Sequence, residues 1–477
     1  MISDNFIAVN ADGYKYSHPR QYPPHTLFAK SYFEARSPYI LEEGLIDETV
    51  FFGMQYYLKK YLSQRVTHEM IDEAEEFVLR QGAPFYKKEW ETIADTFDGR
   101  LPVRIHAVPE GLVVPHGNVL FTVENTVGGF HWLPSFLETL LVKLWYPITV
   151  ASYVRNINSI FYNYSNTTSD LPPLVTIGYK LTDFGLRGVS SDETGGIGGA
   201  ALFAAGQKFS DNQMGIGFIQ DYYGTRLGGT TIPAMEHSTV TSWGRAHELD
   251  AFKNHLDHYL KPGAYVAMVM DSYDLVHAIN MVAESEIDRI KNSGGTVVFR
   301  PDSGYPPKIV VEVLEILASK FGYETNSKGY KVLPPYVRVI QGDGIDADMI
   351  VDILDEMEEH KFSIDNIIFG SGGALLQKHN RDNFSFAYKT CQIGILNEES
   401  GDFEFRSVKK EPKTDMGKKS KGGDLILVRD SIGKFNTIDR RTIASGDVPV
   451  LEVVYENGEI TSEYTLDEIV ERSMVNL

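Results

Sequence analysis

The sequence Y-V-R-V-I-Q-G-D-G-I-D at residues 336–346 decides how the rest of the chain is interpreted. Its first half is rich in apolar, β-branched residues, which predicts a buried β-strand. In the second half, Gly342 and Gly344 allow the backbone to bend and to approach a ligand closely, while Asp343 and Asp346 add negative charge there. A single Gly-Asp-Gly turn is more often only a turn, so the motif needs support from elsewhere in the chain.

The same pattern recurs in three other places. Apolar runs at 266–269, 296–299 and 367–369 lead into Met270-Asp271-Ser272, Arg300-Pro301-Asp302-Ser303-Gly304 and Gly370-Ser371-Gly372-Gly373. Between them, residues 310–317 and 349–357 carry apolar side chains at the spacing of amphipathic helices. Strand, polar turn and helix in alternation predict parallel β/α units. When such units close into a barrel, the residues that do chemistry lie at the C-terminal strand ends.

Length and charge limit the possible classes of protein. A chain of 477 residues predicts two domains. The formal net charge of −20 argues against non-specific binding to nucleic acid or to an anionic membrane, since both require a basic surface. Cys391 is the single cysteine, so we expect neither an intramolecular disulfide nor a cysteine zinc site. With no signal-peptide pattern and no run of about 18 apolar residues, we expect a cytoplasmic protein.

The two ends of the chain show no β/α repeat. Residues 133–150 are predicted to form an apolar helix that ends near Pro147. After residue 381, two β-hairpins are predicted at 425–437 and 453–460, the second with an Asn-Gly turn of type I′. The C-terminal strands are therefore expected to join the N-terminal domain.

Two segments each leave two interpretations open. The glycine-rich G-G-I-G-G-A-A at 195–201 is either the start of a tightly packed helix or a helix N-terminus directed at an anion. The basic stretch K-K-E-P-K-T-D-M-G-K-K-S-K at 409–421 is either a solvated loop or a segment that closes over a phosphate.

A candidate anion site follows from residues just after predicted strands. Arg187, Arg300 and Arg381 have the planar fork that suits phosphate oxygens. Gly372 and Gly373 can bring backbone N–H groups close to the same ligand. These residues would gather positive charge in an otherwise negative protein.

Three carboxylates are expected at the same edge of the barrel, namely Asp271, Asp302 and Asp343. They repel one another unless a cation or a polar substrate joins them, which indicates Mg²⁺ or the hydroxyls of a sugar. His237 is the best placed of the 13 histidines, although a lone histidine there is more often structural. The chain has no H-E-x-x-H, G-x-S-x-G or P-loop motif, so zinc protease, serine hydrolase and P-loop interpretations are excluded.

The chain contains a set of ordered motifs: Asp12-Gly13-Tyr14-Lys15 with Gln21-Tyr22-Pro23-Pro24, Asp183-Phe184-Gly185-Leu186-Arg187-Gly188, Glu236-His237-Ser238-Thr239, Arg300-Pro301-Asp302-Ser303-Gly304, Asn326-Ser327-Lys328-Gly329-Tyr330, Gln341-Gly342-Asp343-Gly344 and Gly370-Ser371-Gly372-Gly373. Together they resemble the nicotinamide phosphoribosyltransferases, a group of type II phosphoribosyltransferases. The resemblance extends from about residue 8 to the C-terminus. It implies an α/β fold in which an irregular parallel β/α barrel at 151–384 lies beside a mixed-sheet α/β domain built from 1–150 and 385–477. It also implies a homodimer with shared active sites.

The resemblance further implies a role for individual residues. Phe184 and Tyr14 would sandwich a pyridine ring, with Tyr14 coming from the partner subunit, and Asp211 would accept from the ring's carboxamide. His237 would be phosphorylated by ATP. Asp302 and Asp271 would act in catalysis and hold Mg²⁺. The residues implied to hold phosphate, pyrophosphate and ribose are Arg187, Arg300, Arg381, Lys389, Lys418, Asp302, Gly342, Asp343, Gly372 and Gly373.

The implied reaction forms nicotinamide mononucleotide and pyrophosphate from nicotinamide and 5-phosphoribosyl 1-pyrophosphate (PRPP), within NAD salvage. Cations would neutralise the leaving pyrophosphate, and a carboxylate would flank the developing oxocarbenium ion. No general base is needed, because the ring nitrogen of nicotinamide attacks as a neutral nucleophile. Two alternatives are nicotinate phosphoribosyltransferase and a non-catalytic binding protein on the same fold.

Overall fold

The computed structural model describes residues 6–42, 44–225, 229–414, 419–475 and 477. The chain divides into two compact units. Unit one contains the residues up to Ile40, Leu45–Ser152 and Asn380–Ser473. Unit two contains Tyr153–His379 with the short segments Leu41–Gly44 and Met474–Leu477.

The strands are short and are numbered in chain order. They are β1 (Thr26–Glu34), β2 (Tyr39–Ile40), β3 (Leu45–Ile46), β4 (Glu48–Val50), β5 (Val103–Ala107), β6 (Val113–Pro115), β7 (Val119–Asn125), β8 (Leu181–Asp183), β9 (Tyr265–Val269), β10 (Thr296–Arg300), β11 (Glu324–Thr325), β12 (Lys331–Val332), β13 (Val337–Gln341), β14 (Ile367–Ser371), β15 (Ala387–Leu396), β16 (Phe403–Ser407), β17 (Leu425–Arg429), β18 (Phe435–Asp439), β19 (Val448–Pro449), β20 (Glu452–Glu456) and β21 (Glu459–Ile460).

The α-helices are numbered in the same way. They are α1 (Met54–Tyr57), α2 (His68–Arg80), α3 (Lys87–Thr96), α4 (Leu133–Phe136), α5 (Glu138–Leu141), α6 (Trp145–Thr168), α7 (Pro173–Thr176), α8 (Asp192–Ala204), α9 (Gln213–Tyr223), α10 (His237–Thr241), α11 (Glu248–Tyr259), α12 (Leu275–Asn292), α13 (Pro306–Phe321), α14 (Ala347–Glu359), α15 (Gly373–Leu376) and α16 (Leu466–Ser473). Short 3₁₀ helices at Gly13–Arg20 and Leu186–Gly188 carry residues of the predicted site.

Unit two is built on a parallel sheet with the strand order β8-β14-β13-β10-β9. Every pairing in this sheet is parallel. The central strands are almost entirely buried, as their continuous β-branched sequences require, because helices cover a sheet of this kind on its outer face. The strands and helices α13 and α14 confirm the β/α units predicted from the sequence.

The sheet curves round and closes through two irregular segments. Residues 233–235 join β9 through Met235 N–H to Ala267 O at 3.0 Å and Ala267 N–H to Pro233 O at 2.9 Å. Residues 208–211 join residue 230, through Ser210 N–H to Thr230 O at 3.1 Å, and also join β8. Both segments form only isolated parallel bridges. The predicted irregular barrel is therefore confirmed, and its irregularity lies in these two segments.

The glycine-rich segment at 195–201 lies inside α8, which begins at Asp192. A Cβ built on Gly199 would lie 2.9 Å from the Cα of Gly215 on α9. Glycine at these two positions therefore lets α8 and α9 pack with their backbones in close contact. Of the two interpretations, tight packing describes this segment, although it lies in the interior of the helix instead of at its start.

The motif Asn326-Ser327-Lys328-Gly329-Tyr330 has a structural explanation. It forms the turn between β11 and β12, and Lys328 Nζ donates to the carbonyl oxygens of Ser165, Asn166 and Ser169. These carbonyl groups lie at the C-terminal end of α6, where a helix leaves its last carbonyls unpaired and attracts positive charge. The motif thus caps α6.

Unit one contains a seven-stranded sheet with the order β16-β15-β1-β7-β5-β20-β21, and each of its ladders is antiparallel. The N-terminal strands β1, β7 and β5 form its centre and C-terminal strands flank them on both sides, so both ends of the chain build this sheet, as predicted. The Phe33 ring stacks between Phe121 at 4.8 Å and Phe386 at 5.3 Å between ring centroids. The two C-terminal hairpins are also confirmed, with positive φ at both Asn457 and Gly458.

Two expectations differ from the structure in detail. The helix predicted at 133–150 is broken into α4, α5 and a 3₁₀ turn before α6, and Pro147 lies in the first turn of α6 instead of marking an exit. Proline is tolerated there because the first N–H groups of a helix have no intrahelical acceptor. The expected domain boundary is residue 384, whereas unit one resumes at Asn380. The backbone N–H groups of Arg36 and Ser37 donate to Phe384 O, which ties the residues around 384 to unit one.

Among the described residues, no helix is both long enough and apolar enough to cross a bilayer. The single cysteine, Cys391, is free and buried, and burial raises the pKa of its thiol to about 12.

Candidate active site

We define the mouth of the barrel as the C-terminal ends of the five parallel strands with the residues that follow them. His237 lies there and is held by both ring nitrogens. Nδ1 is 3.2 Å from Ser272 Oγ, and Nε2 is 3.1 Å from Asp302 Oδ2. The histidine side chain is 45% exposed, so one side of the ring is open to a ligand. A histidine held by a hydroxyl and a carboxylate and still accessible is oriented for proton transfer or nucleophilic attack.

Arg300 is the last residue of β10, and it contacts Asp302, which lies two residues further on. Arg300 Nη1 donates to Asp302 Oδ1 at 2.8 Å, and Nη2 donates to Met235 O at 3.3 Å. The arginine side chain is 17% exposed. These contacts fix the guanidinium plane while engaging only part of its five donors, so the fork is prepared for an anion at the mouth.

Asp271, at the end of β9, has one satisfied and one unsatisfied carboxylate oxygen. Oδ2 accepts from Asp302 N–H at 3.1 Å and from Ser303 Oγ at 2.5 Å. Oδ1 is buried and has no hydrogen-bond partner among the described residues. A buried carboxylate oxygen without a donor is costly unless a cation or a ligand completes it.

A metal ion bound to Asp271 Oδ1 would need further ligands from water or from a bound substrate. Among the described residues, no group of three or more histidine, cysteine or carboxylate side chains is placed to hold a metal by itself. Mg²⁺ commonly uses one or two carboxylates and takes its other ligands from water and substrate phosphates. Oδ1 of Asp271 lies 3.9 Å from His237 Nε2 and has no hydrogen-bond partner among the described residues. With the Asp302 carboxylate, which follows the neighbouring strand, it matches that manner of binding.

Phe184 forms an aromatic platform over two glycines. A Cβ built on Gly370 would come within 2.1 Å of the Phe184 ring, and one on Gly342 within 3.1 Å. Glycine at 370 is therefore required for the ring to lie where it does. The ring also packs on the apolar cluster formed by Ala267, Val298 and Ile340.

Asp211 lies on the irregular segment beside the Phe184 turn. Its backbone N–H donates to the carbonyl oxygen of Asp183, the residue before Phe184, at 3.2 Å. Its carboxylate is exposed and accepts a hydrogen bond from the Thr231 hydroxyl. The structure thus places a hydrogen-bond acceptor and an aromatic ring on adjoining backbone.

The two glycines directly after β14 leave open surface. A Cβ on Gly373 would meet nothing within 4 Å, and one on Gly372 would meet only the Phe184 carbonyl oxygen at 3.8 Å. The exposed Arg187 precedes Gly188, whose Cβ would lie 3.8 Å from the Gly373 Cα. An anion could therefore approach this backbone with Arg187 alongside it.

Asp343 is exposed, and its strand lies next to the strand that carries Asp302. Val339 of β13 pairs with Phe299 of β10, so the two carboxylates follow adjacent strands. The structure therefore brings these predicted residues to the same edge. Asp183, at the end of β8, is a buried carboxylate at the same edge, and sequence reasoning did not select it.

The remaining predicted residues belong to unit one, where each has its own surroundings. Tyr14 is exposed on the 3₁₀ helix Gly13–Arg20, and its ring contacts the edge of His18 with 5.0 Å between centroids. Arg381 pairs with the neighbouring Asp382 at 3.1 Å. Lys418 lies outside the described residues.

Lys389 belongs to a cluster that sequence reasoning found only in part. Its Nζ donates to Tyr388 O at 2.7 Å and lies 3.9 Å from Glu138 Oε1. Burial lowers the pKa of Lys389, and the Glu138 charge opposes that shift. The other oxygen of Glu138 pairs at 2.5 Å with Lys15, which is buried. The only sequence signal for Lys15 is its place beside Tyr14 in the N-terminal motif.

The residues that sequence reasoning missed at the mouth are small and polar. Ser272, Ser303 and Thr231 each hold a predicted residue by a hydroxyl group. Their signal is weak, because serine and threonine are common after strands. Only Ser272 and Ser303 lie within motifs that the strand pattern singles out.

The strand ends of this parallel barrel carry arginines, carboxylates and exposed glycines beside an aromatic platform. Such groups together suit a phosphorylated sugar and a planar ring. Comparison with known proteins agrees with this class. The family model described as the Nicotinate phosphoribosyltransferase (NAPRTase) family matches residues 179–450. The model for the Nicotinamide phosphoribosyltransferase N-terminal domain matches residues 6–105.

Individual relatives match over nearly the whole chain. A protein of Xanthomonas campestris pv. campestris named nicotinamide phosphoribosyltransferase is 42% identical over 473 residues, which covers 98% of this chain and 97% of the relative. One of the same name from Acinetobacter baylyi is 29% identical, covering 97% of this chain and 95% of the relative. The chain belongs to the nicotinate phosphoribosyltransferase family and is a phosphoribosyltransferase.

Solved structures share the fold at low sequence identity. The nicotinate-nucleotide pyrophosphorylase of Pyrococcus furiosus has a TM-score of 0.62 at 16% identity, covering 99% of this chain and 96% of that one. Human nicotinic acid phosphoribosyltransferase has a TM-score of 0.53 at 15% identity, covering 97% and 93%. These likenesses concern the fold alone.

Proposed function

We propose that this protein transfers the 5-phosphoribosyl group of PRPP to nicotinamide, forming nicotinamide mononucleotide and pyrophosphate in NAD salvage. The observation that carries the choice of base is the exposed Asp211 carboxylate on the backbone that adjoins the Phe184 platform. A carboxamide can donate an N–H to this carboxylate, whereas the carboxylate of nicotinate would be repelled by it. The names of the Xanthomonas and Acinetobacter relatives support the same choice.

In this proposal the mouth binds PRPP through residues on several strands. Arg300 and Arg187 hold phosphate oxygens, and the open backbone at Gly372 and Gly373 accommodates the 5′-phosphate. Asp302 and Asp343 take the ribose hydroxyls from adjacent strands. Lys389, Arg381 and Lys418 contribute further positive charge for the phosphate groups in this proposal. Tyr14 of the partner subunit covers the second face of the pyridine in a homodimer.

The reaction is a displacement at C1 of the ribose. The ring nitrogen of nicotinamide forms a bond to C1 as the C1–O bond to pyrophosphate breaks, and the electron pair leaves with the pyrophosphate. Arg300 stabilises the charge that develops on the leaving group, and the Asp302 carboxylate flanks the oxocarbenium character at C1. No proton has to move, because the attacking nitrogen is neutral.

Asp271 and Asp302 would hold Mg²⁺ in this proposal. The ion would supply charge neutralisation to the pyrophosphate while it leaves. The contribution of the chain is to hold Asp271 Oδ2 through Ser303 and the Asp302 backbone, while Oδ1 receives no hydrogen bond from the described residues.

The test compares the two pyridine bases. Purified protein with PRPP and Mg²⁺ should form the mononucleotide from nicotinamide, with a kcat/KM about tenfold or more above that for nicotinate. Bound substrate would shield the Asp211 carboxylate from water, and an unfavourable charge contact is then worth about 1.4 kcal/mol or more. Turnover of nicotinate alone would instead assign nicotinate phosphoribosyltransferase. Binding of PRPP without pyrophosphate release would assign a non-catalytic binding protein.

A second part of the proposal is that ATP phosphorylates His237. One ring nitrogen attacks the γ-phosphorus, ADP leaves, and hydrolysis of the phosphohistidine is coupled to synthesis. The support is the position of His237, which is partly exposed and held between Ser272 and Asp302. The ratio of mononucleotide formed with ATP to that formed without it should fall to about one in His237→Ala, since the variant has no imidazole to accept the phosphoryl group. An unchanged ratio in that variant would refute the role.

A cytoplasmic location is part of the proposal. The single buried cysteine supports it, since disulfides are rare in reducing compartments.

A further inference from the structure

Asp183 is a buried carboxylate at the mouth whose two oxygens are both in use. It ends β8, pairs with Ser371 of β14 and is fully buried. Oδ1 accepts from Gly185 N–H at 2.6 Å, and Oδ2 accepts from Asn212 Nδ2 at 2.8 Å. Its charge is thus stabilised by two donors on two different segments of the chain.

The first of these hydrogen bonds shapes the turn that presents Phe184. A side-chain oxygen that accepts from the backbone two residues later forms an Asx turn, which bends the chain at the residue between. That residue is Phe184, whose own N–H donates to Ser371 O at 2.9 Å. Gly185 has no space for a side chain, because a Cβ there would lie 2.8 Å from Gly372 O. The turn is therefore fixed on both sides of Phe184.

The second hydrogen bond holds the segment that carries Asp211. Asn212 lies directly after Asp211, and besides Asp183 it donates to Gly195 O at 2.9 Å. Its Oδ1 accepts from Gly215 N–H at 3.0 Å and so caps α9. The Asp183 carbonyl oxygen accepts from Asp211 N–H. Asp183 therefore touches both neighbours of the proposed pyridine site, through its side chain on one side and through its main chain on the other.

We infer that Asp183 is the positioning residue for the pyridine base: its carboxylate sets the relative placement of the Phe184 platform and the Asp211 acceptor. This inference rests on the proposed function. Asp183 is buried beneath the turn and therefore acts through Phe184 and Asp211, without contacting the substrate itself.

The charge of Asp183 also contributes to the choice of base. Burial raises the pKa of Asp183 to about 6, with the donors Asn212 and Gly185 opposing the shift and the Asp211 charge adding to it. Above that pH two carboxylates on adjoining backbone create negative potential at one end of the platform. Such a potential favours a neutral carboxamide over an anionic ring substituent.

The test is Asp183→Asn, which keeps the size of the side chain. The asparagine can still accept from Gly185, but its amide group faces the Asn212 amide, so two donors oppose each other. KM for the pyridine base should rise about tenfold or more, because a buried charge-assisted hydrogen bond is lost, while KM for PRPP changes less than about twofold. If Asp183 were merely structural, its substitution would lower the melting temperature or change the KM values for base and PRPP equally. Either result, without a selective rise in the base KM, would overturn the inference.

Two further variants complete the experiment. In Asp183→Asn with Asn212→Asp the amide and the carboxylate exchange places, which restores the hydrogen bond between them. The new carboxylate also faces Gly195 O, so only part of the base KM should recover. Asp365→Asn is the matched control, since Asp365 is a carboxylate at the opposite end of β14 that accepts from Ser169 Oγ at 2.7 Å. Its base KM should stay at the wild-type value. A double variant that keeps the wild-type melting temperature and recovers no base affinity would contradict the proposed geometry.

Failure of the proposed function can be told apart from failure of this inference. Wild-type protein that uses nicotinate in place of nicotinamide would refute the function. In that case the KM for nicotinate would be measured in Asp183→Asn and in wild type. The ratio of the two values would still test whether Asp183 places the Phe184 platform and the Asp211 acceptor.

Discussion

The two ends of the barrel in unit two both carry charged residues, and they satisfy that charge in different ways. At the floor, defined as the N-terminal ends of the parallel strands, Lys180 Nζ donates to the carbonyl oxygens of Ile364 and Ile367 at 2.7 and 3.1 Å. Arg338 there donates through Nη1 to three backbone carbonyl oxygens. At the mouth, Arg300 and His237 both contact the Asp302 side chain.

The difference separates charge that serves the fold from charge that serves the site. A backbone carbonyl cannot move away without unfolding its segment, so the cations of the floor are committed to it. A side chain such as Asp302 can rotate and give up its partner to a ligand. We therefore expect substitutions at the floor to change stability and substitutions at the mouth to change turnover.

The largest contrast is expected between two arginines. Arg300→Ala should lower kcat/KM by about 100- to 1000-fold, because it removes a positioned donor for the charge that develops on pyrophosphate. Arg338→Met should leave kcat/KM within about twofold of wild type and lower the free energy of unfolding by about 3 kcal/mol, since three carbonyl groups lose a charged donor. Steady-state kinetics and urea unfolding on both variants measure this contrast. A loss of activity in the folded Arg338 variant as large as that in the Arg300 variant would break the comparison.

The next effect concerns Lys180 and pH. Burial lowers the pKa of Lys180 from 10.5 to about 8, while the Asp365 carboxylate opposes the shift and the Arg338 charge adds to it. The unfolded chain therefore holds this proton between pH 8 and 10.5 while the folded protein has released it. Unfolding free energy should rise with pH across that window by about 3 kcal/mol from this group.

The measurement is urea unfolding at several pH values for wild type and Lys180→Met. The difference between the two proteins isolates the lysine, because other groups titrate in both. The rise should be absent in the variant. Parallel curves for the two proteins would show that Lys180 is not desolvated in solution.

The smallest expected effect comes from two serines, Ser303 at the mouth and Ser169 at the floor. Ser303→Ala removes the hydroxyl that donates to Asp271 Oδ2, and it should lower kcat/KM by about fivefold, as loss of one hydrogen bond of about 1 kcal/mol predicts. Ser169→Ala removes the hydroxyl that donates to Asp365 Oδ2 at the floor, and kcat/KM should not change. Equal losses of activity from the two substitutions would remove the distinction between mouth and floor.

Much of the fold was predictable because its signals are local. The strands β9, β10, β13 and β14 are runs of β-branched residues followed by glycine or aspartate, and the hairpin at Asn457-Gly458 follows from turn chemistry. The helix predicted to end at Pro147 shows the limit of such signals. A proline breaks a helix interior but suits a first turn, and local sequence does not distinguish these cases.

The site was predictable where a polar residue follows a strand directly. Asp271, Arg300 and Asp302 were found in this way, and His237 was found at the end of an apolar stretch before a helix; the structure brings the four together. Lys180 and Asp183 could not be assigned, because the partners of their side chains lie on later segments: Lys180 meets Ile364 and Ile367, and Asp183 meets Asn212. Whether a charged residue is buried and satisfied depends on such distant partners, which a single sequence does not specify.

The irregular closure of the barrel has a consequence for how such a family diversifies. Residues 208–211 and 233–235 are held by isolated bridges, and they carry or adjoin Asp211 and His237. A residue inserted or exchanged in these segments alters what the mouth recognises without shifting the register of β8, β14, β13, β10 and β9. In the proposed function, base preference and coupling to ATP can thus change while the proposed ribose and phosphate framework on the strands is kept.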